Sequence, residues 1–246
     1  MAELTRDNSL YKLYGPGAKK NDVYIFNGSL MAEKFGVKLF QPFVDAGYDP
    51  DFPDKEVIST IKKEHKKLRG ISKVASLGKS YGMGWAKFKQ NMALQGIKMS
   101  EREARAVIDG LDKVYSGIGK YNKYLENELA DNNGYVLNGI GRPVCCADDF
   151  KKDIVNRVVQ STGHDILMLW MTIYSKMLDE AGIKWDGIVL DFHDQSIIEV
   201  NEEDVEKVEH ILGKLSVDEL NKQLEGVIKL TVDGGKINTM ADAKCG

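Results

Sequence analysis

Three cysteines in 246 residues are too few for a disulfide framework, and Cys145, Cys146 and Cys245 are badly placed for one. Their number is odd, two are adjacent, and no C-x-x-C pair occurs, so neither a stapled secreted fold nor a zinc ribbon fits. Free thiols in a reducing compartment are the expected state. Long apolar runs are also missing: nothing approaches the roughly 18 residues of a membrane-spanning helix. The first residues, MAELTRDNSLYKLYG, carry no leader pattern. The expectation is a soluble, cytoplasmic chain with no membrane partner. Proline is scarce, with five in all, and three of them lie between Pro42 and Pro53, where PFVDAGYDPDFP reads as a loop. A surplus of one charge is absent too. The net charge of −3 excludes a globally basic nucleic-acid coat. It hides a local excess, because Lys62, Lys63, Lys66, Lys67, Arg69 and Lys73 fall within twelve residues.

What is present is a helical first part and a mixed second part. DVYIFNGSLMAEKFG has helical character, and DKEVISTIKKEHKK leads into a helix through Arg69. Ser100 and Glu103 form a capping-box pattern at the start of the next helix. Another helix is expected over Ile118 to Ala130. NNGYVLNGIGRPVCC reads as a hairpin. A proline-free pattern from Asp149 to Glu180 predicts one long helix, apolar nearly all round in its second half and therefore buried. Ile188 to Phe192 and Ser196 to Val200 predict a second hairpin with His193 and Asp194 at its tip, and VIKLTVDGG a last strand. The fold class is α+β. A helical region at 1–133 precedes a region at 134–246 that holds antiparallel strands and the long buried helix.

Three groups of residues can carry chemistry. Arg69, Lys73, Leu77 and Tyr81 recur every fourth residue, so they share one broad helix face. Two cations one turn apart can clamp a polyphosphate and an aromatic beyond them can stack on a base; the alternative is a solvated basic helix. Gly70, Gly78 and Gly82 beside them would let a flat partner approach the backbone, although each costs a helix about 1 kcal/mol. Asp194 at a hairpin tip is a rigid mount for Mg²⁺ or a plain polar turn. Asn156, Gln160 and His164 line one helix face, as minor-groove donors or as an ordinary wet surface.

Taken in order, these segments resemble the polymerase region of the bacterial and phage DNA polymerase I family (family A). The family's fingers pattern R-x3-K-x3-(F/Y)-G-x2-Y-G is met by Arg69, Lys73, Leu77, Gly78, Tyr81 and Gly82. Its H-D-E palm hairpin is met by His193, Asp194 and Gln195. Its N-x3-Q-G-T-x2-D helix is met by Asn156, Gln160, Ser161, Thr162 and Asp165, and its G-Y-V-x-T-x2-G-R-R hairpin by Gly134, Tyr135, Val136, Gly141 and Arg142. The resemblance implies a helical fingers subdomain at 1–133 and a palm at 134–246. It also implies nucleotidyl transfer from a dNTP to a primer end in a phage-infected or bacterial cell. Arg69 and Lys73 would hold the triphosphate, Leu77 would lie at the sugar and Tyr81 near the templating base. Asp194 would hold Mg²⁺, with His193 at the primer end. Gly82, Arg142, Lys152, Asn156, Gln160 and His193 would face primer-template DNA.

The departures are as informative. Leu77 stands where the family has an aromatic, Gln195 where it has Glu, and Lys152 where it usually has Arg. The family's D-Y-S-Q-I-E-L-R motif, which carries the second metal-bridging carboxylate, is followed in members by text like M-A-H-L-S-R-D. This chain opens on MAELTRDNSL. The resemblance therefore implies that the second carboxylate and the thumb come from an N-terminal partner chain or from polypeptide upstream. A non-catalytic nucleotide- or DNA-binding module is the alternative.

Overall fold

The computed structural model describes residues 2–18, 21–80, 82–146, 154–192, 195–226 and 229–237. They form two compact units, 1–159 and 160–246. The architecture is α+β: twelve α-helices and two small antiparallel sheets among the described residues.

The first unit begins with α1 (Ala2–Thr5) and α2 (Asn8–Tyr14). Asp7 is buried and caps α2 through Ser9 and Leu10, while its other oxygen accepts from the Gly117 N–H at 2.7 Å. Two segments 110 residues apart in the chain are thereby tied by backbone donors to one carboxylate. The central helix is α3 (Val23–Phe35), capped by Asp22 and closed by Gly36 in the left-handed region. A 3₁₀ turn at Lys38–Phe40 leads into α4 (Gln41–Asp45). Part of the expected proline loop is therefore helical, because Pro42 stands in the first turn, where a missing N–H costs nothing. Then come α5 (Lys55–Glu64) and α6 (Lys66–Ser80), separate helices broken at His65, whose φ of −113° and ψ of 30° leave the helical region. Helices α7 (Trp85–Leu94), α8 (Glu101–Val114) and α9 (Ser116–Asp131) follow. The Ser100–Glu103 capping box forms in full. Strands β1 (Tyr135–Leu137) and β2 (Pro143–Cys145) make the first hairpin, with Tyr135 opposite Cys145.

The core of this unit gathers α3 to α8 around Phe26, Met31, Phe40, Phe43, Ile61 and Phe88. Gly28 is required by that packing: a Cβ there would lie 2.5 Å from Cε2 of the fully buried Phe43 and 3.2 Å from Phe40. Gly28→Ala should destabilise the protein by about 1–3 kcal/mol, since an aromatic ring locked in a close-packed core cannot step aside. At Gly78 the colliding atom is the flexible end of Met83, and alanine regains helix propensity. Gly78→Ala should therefore stay within about 1 kcal/mol of the parent. Urea unfolding of both variants separates the two cases, and equal losses would contradict this account of Gly28.

Helix α10 (Ile154–Glu180) starts in the first unit and runs into the second. Its first turns pack Ile154, Val155 and Val158 against Leu125, Leu129 and Val136. Further along, Leu167, Trp170, Met171, Tyr174 and Leu178 enter the core of the second unit. That half is not buried all round, contrary to the expectation from its composition. Met168 is 45% exposed, and Thr172 and Lys176 continue the same stripe, four residues apart, from Gln160 and His164. Strands β3 (Trp185–Phe192) and β4 (Gln195–Val200) pair antiparallel, with Phe192 opposite Gln195. Gly187, at φ +90°, sits in the irregular part of the register. Helix α11 (Val205–His210) then passes through a π-helical turn at Ile211–Leu215 into α12 (Ser216–Leu224).

The expected strand over VIKLTVDGG does not form among the described residues. Its Leu230 backbone finds both partners on one side chain: Leu230 N donates to Asn221 Oδ1 at 2.7 Å, and Asn221 Nδ2 donates to Leu230 O at 2.9 Å. A side-chain amide has replaced the neighbouring strand.

Candidate functional site

The chemistry in the first unit is built where α6 lies along α3. Four residues advance a helix by about 400°, so a four-residue row rotates by about 40° per step. The row that starts at Arg69 therefore leaves the seam with α3 and reaches solvent by Lys73 and Leu77. Arg69 keeps 29% of its side chain exposed, Lys73 is exposed and Leu77 is 45% exposed. The inner edge of the same helix carries Ile71, Ser72 and Ala75, all buried.

That seam is polar at three points. Arg69 Nε donates to Asp22 Oδ2 at 3.0 Å, and Nη2 to the same oxygen at 2.9 Å. Ser72 Oγ donates to the Tyr24 carbonyl at 2.7 Å, and Asn27 Nδ2 donates to Ser76 Oγ at 2.8 Å. Asp22 is 5% exposed and also accepts from the Tyr24 and Ile25 N–H groups and from Lys62 at 3.2 Å. Burial alone would raise its carboxyl. The Arg69 fork, the Ile25 N–H and Lys62 outweigh burial and hold it below the usual carboxylate range. Above the fork, the Tyr24 ring serves both cations: the Arg69 guanidinium carbon is 5.1 Å and Lys73 Nζ 5.8 Å from its centroid. One aromatic face thus sets the spacing of two cationic heads.

The glycines of α6 have a different use from the one their position suggests. Met83 N bonds to Gly78 O and Gly82 N to Lys79 O, the paired bonds of a Schellman termination. Gly82, at φ +74°, is the left-handed residue that this stop requires. Gly78 is the seat of the Met83 side chain. Gly70 faces open space, as does Gly82.

The structure therefore joins Arg69, Lys73 and Leu77 on one helix with Asp22 and Tyr24, two residues the motif reading did not single out. Their only local signal is the Asp-x-x-apolar start of α3. Arg142 lies exposed in the β1–β2 turn, where its N–H donates to Asn138 Oδ1 at 2.9 Å. Asn156 is half-buried on the first turn of α10 within the first unit. Gln160 is exposed and opens the second unit, as does His164 a turn later. The sites expected at Tyr81, Lys152, His193 and Asp194 lie outside the described residues. Asp191, beside that tip, is exposed and pairs across the ladder with Ser196. No group of three metal-ligating side chains occurs among the described residues. No helix among them is long and apolar enough to cross a membrane.

Comparison with known proteins gives this geometry a family. The model of DNA polymerase family A matches residues 55–239. The DNA polymerase of Mycobacterium phage D29 is 28% identical over 158 residues, which cover 64% of this chain and 24% of the phage protein. DNA polymerase I of Aquifex aeolicus is 28% identical over 181 residues, 68% of this chain and 31% of the relative. The chain thus spans about a quarter to a third of the length of these curated relatives. Among solved structures, the POL domain of Pol1 from M. smegmatis, in complex with DNA primer-template and dNTP, superimposes with a TM-score of 0.63 over 88% of this chain and 34% of that one, at 19% identity. The motifs in register, the α+β fold and the match over most of its length together make this chain a member of DNA polymerase family A.

Proposed function

We infer that the chain is the fingers and palm portion of a template-directed DNA polymerase. It would bind the triphosphate of a dNTP on Arg69 and Lys73, place Leu77 at the sugar and Tyr81 near the templating base, and present primer-template DNA to Gly82, Arg142, Lys152, Asn156, Gln160 and His193. The reading takes 1–133 as fingers and 134–246 as palm. The observation that carries it is the pair of cations on the motif helix that share the ring of Tyr24 on α3. Such a pair offers a fork and a point charge one turn apart, which suits a polyphosphate.

Asp194 would hold one side of a Mg²⁺ centre. In-line phosphoryl transfer with two metals needs a second carboxylate. The proposal places it outside these 246 residues, on a partner chain or on upstream polypeptide. The β3–β4 hairpin supports this: Ile188, Val189 and Leu190 are consecutive and 38%, 55% and 39% exposed on a sheet of only two strands. Such a run is exposed apolar surface that further polypeptide would cover.

The test is primer extension with Mg²⁺ by the chain co-expressed with a segment carrying a D-Y-S-Q-I-E-L-R motif and a thumb. Extension by the pair, lost in Asp194→Ala, is expected. Nucleotide binding without extension by the pair would mean a non-catalytic module, and extension indifferent to Asp194→Ala would overturn the metal assignment.

A further inference from the structure

We propose that Asp22 is a positioning residue for the polyphosphate site: it grips one edge of Arg69 so that the other edge faces a phosphate beside Lys73. The proposal rests on reading α6 as the triphosphate-binding helix.

A guanidinium has five N–H groups in a rigid plane. Asp22 takes the Nε edge, with both its oxygens within 3.2 Å of Nε and one 2.9 Å from Nη2. What remains is the edge formed by Nη1 and the second Nη2 hydrogen, which can still donate a parallel pair to a phosphate. Asp22 is well suited to fix that plane. It is 5% exposed, and two backbone N–H groups at the start of α3 hold its carboxylate in one orientation. Lys62 adds a second cation to the same oxygen, so the carboxylate sits between two positive groups and does not cancel both. The Tyr24 ring lies two residues along the chain from this carboxylate and meets both Arg69 and Lys73. Anchor and platform are therefore parts of one helix start, and the two cationic heads inherit its rigidity. An unanchored arginine would have to freeze its side-chain rotamers when phosphate arrives, at a cost of up to about 2 kcal/mol.

Charge and geometry predict opposite signs on removing the carboxylate, which makes the test decisive. Asn caps helices as well as Asp does, so Asp22→Asn keeps the start of α3 while losing the charged grip on Arg69. By charge alone, one negative group fewer beside the site tightens polyanion binding. If Asp22 positions Arg69, binding weakens.

The experiment is calorimetric titration of the full chain with inorganic tripolyphosphate and with Mg-dATP, for the parent, Asp22→Asn, Arg69→Ala, Lys73→Ala and the Asp22→Asn/Arg69→Ala double variant, with thermal melting of each. Asp22→Asn is expected to bind roughly fivefold to tenfold more weakly, the scale of one ordinary hydrogen bond. It should add little to the loss already caused by Arg69→Ala, because it acts through that residue. Equal or tighter binding by Asp22→Asn overturns the proposal, and so does a loss that adds in full to that of Arg69→Ala, which marks a structural role. If neither Arg69→Ala nor Lys73→Ala weakens binding, or the parent does not bind, the reading of α6 itself fails and the proposal with it.

Discussion

Lys73→Ala should bind Mg-dATP about thirtyfold more weakly than the parent while melting at nearly the same temperature. Two features of Lys73 set this expectation. Its side chain is exposed and its head lies over the Tyr24 ring, so truncation removes little packing. Its charge has no carboxylate partner among the described residues, in contrast to Arg69 on Asp22 and Lys79 on Asp112 at 2.8 Å. An uncompensated ammonium one turn from a guanidinium is the position from which a polyphosphate gains most. Losing one or two charge-assisted bonds of about 1.5–3 kcal/mol corresponds to roughly ten- to a hundredfold in affinity. Lys79→Ala on the same helix is the control. It removes a surface ion pair worth at most about 1 kcal/mol to stability and should leave binding within about twofold. Binding by Lys73→Ala within threefold of the parent, or an equal loss in Lys79→Ala, would show that α6 attracts anions only as a basic surface.

How much of this was legible in the sequence depends on the range of each interaction. The capping box of α8, the two hairpins and the run of α10 from Ile154 to Glu180 are written in neighbouring residues, and the structure follows them. The order of four motifs carried the family assignment, because spacing survives substitutions such as Leu77 and Gln195. The Asp22–Arg69 fork was invisible for the opposite reason: its partners are 47 residues apart and no local pattern joins them. The break at His65 has neither Gly nor Pro to announce it. Leu230 was read as strand from its apolar neighbours, but Asn221 satisfied its backbone first. The glycines of α6 misled in an instructive way. A glycine-rich helix invites a ligand-based explanation, whereas Gly78 and Gly82 are accounted for by how the helix stops. Four-residue spacing, likewise, gave a common face for Arg69, Lys73 and Leu77 and its slow rotation, but not which end of the row lies in the seam with α3.

The second large effect concerns that seam. Asn27 is fully buried and bridges three elements: its Nδ2 donates to Ser76 Oγ on α6 at 2.8 Å, and its Oδ1 accepts the Tyr115 hydroxyl from the junction of α8 and α9. Burial pushes the Tyr115 phenol up, so it remains a neutral donor throughout the working pH range. Asn27→Leu keeps the volume but strands both partners, at about 1–3 kcal/mol for each buried group left unmade. The added apolar burial offsets part of this, for a net loss of about 2–4 kcal/mol. In a unit of this size that lowers the melting temperature by roughly 5–12 °C. Tyr115→Phe strands only the Asn27 oxygen and should cost about half as much. Because Ser76 lies one turn beyond Ser72 on the inner edge of α6, loosening it should also cost polyphosphate affinity near the melting transition and not well below it. Denaturant unfolding of the two variants, with titration of Mg-dATP at low and high temperature, checks both parts. If Asn27→Leu loses less than 1 kcal/mol, the seam is held by apolar packing around Ile71 and Ala75. The polar bridges would then fix only the register of α6 on α3, and with it the angle at which Arg69 meets Asp22.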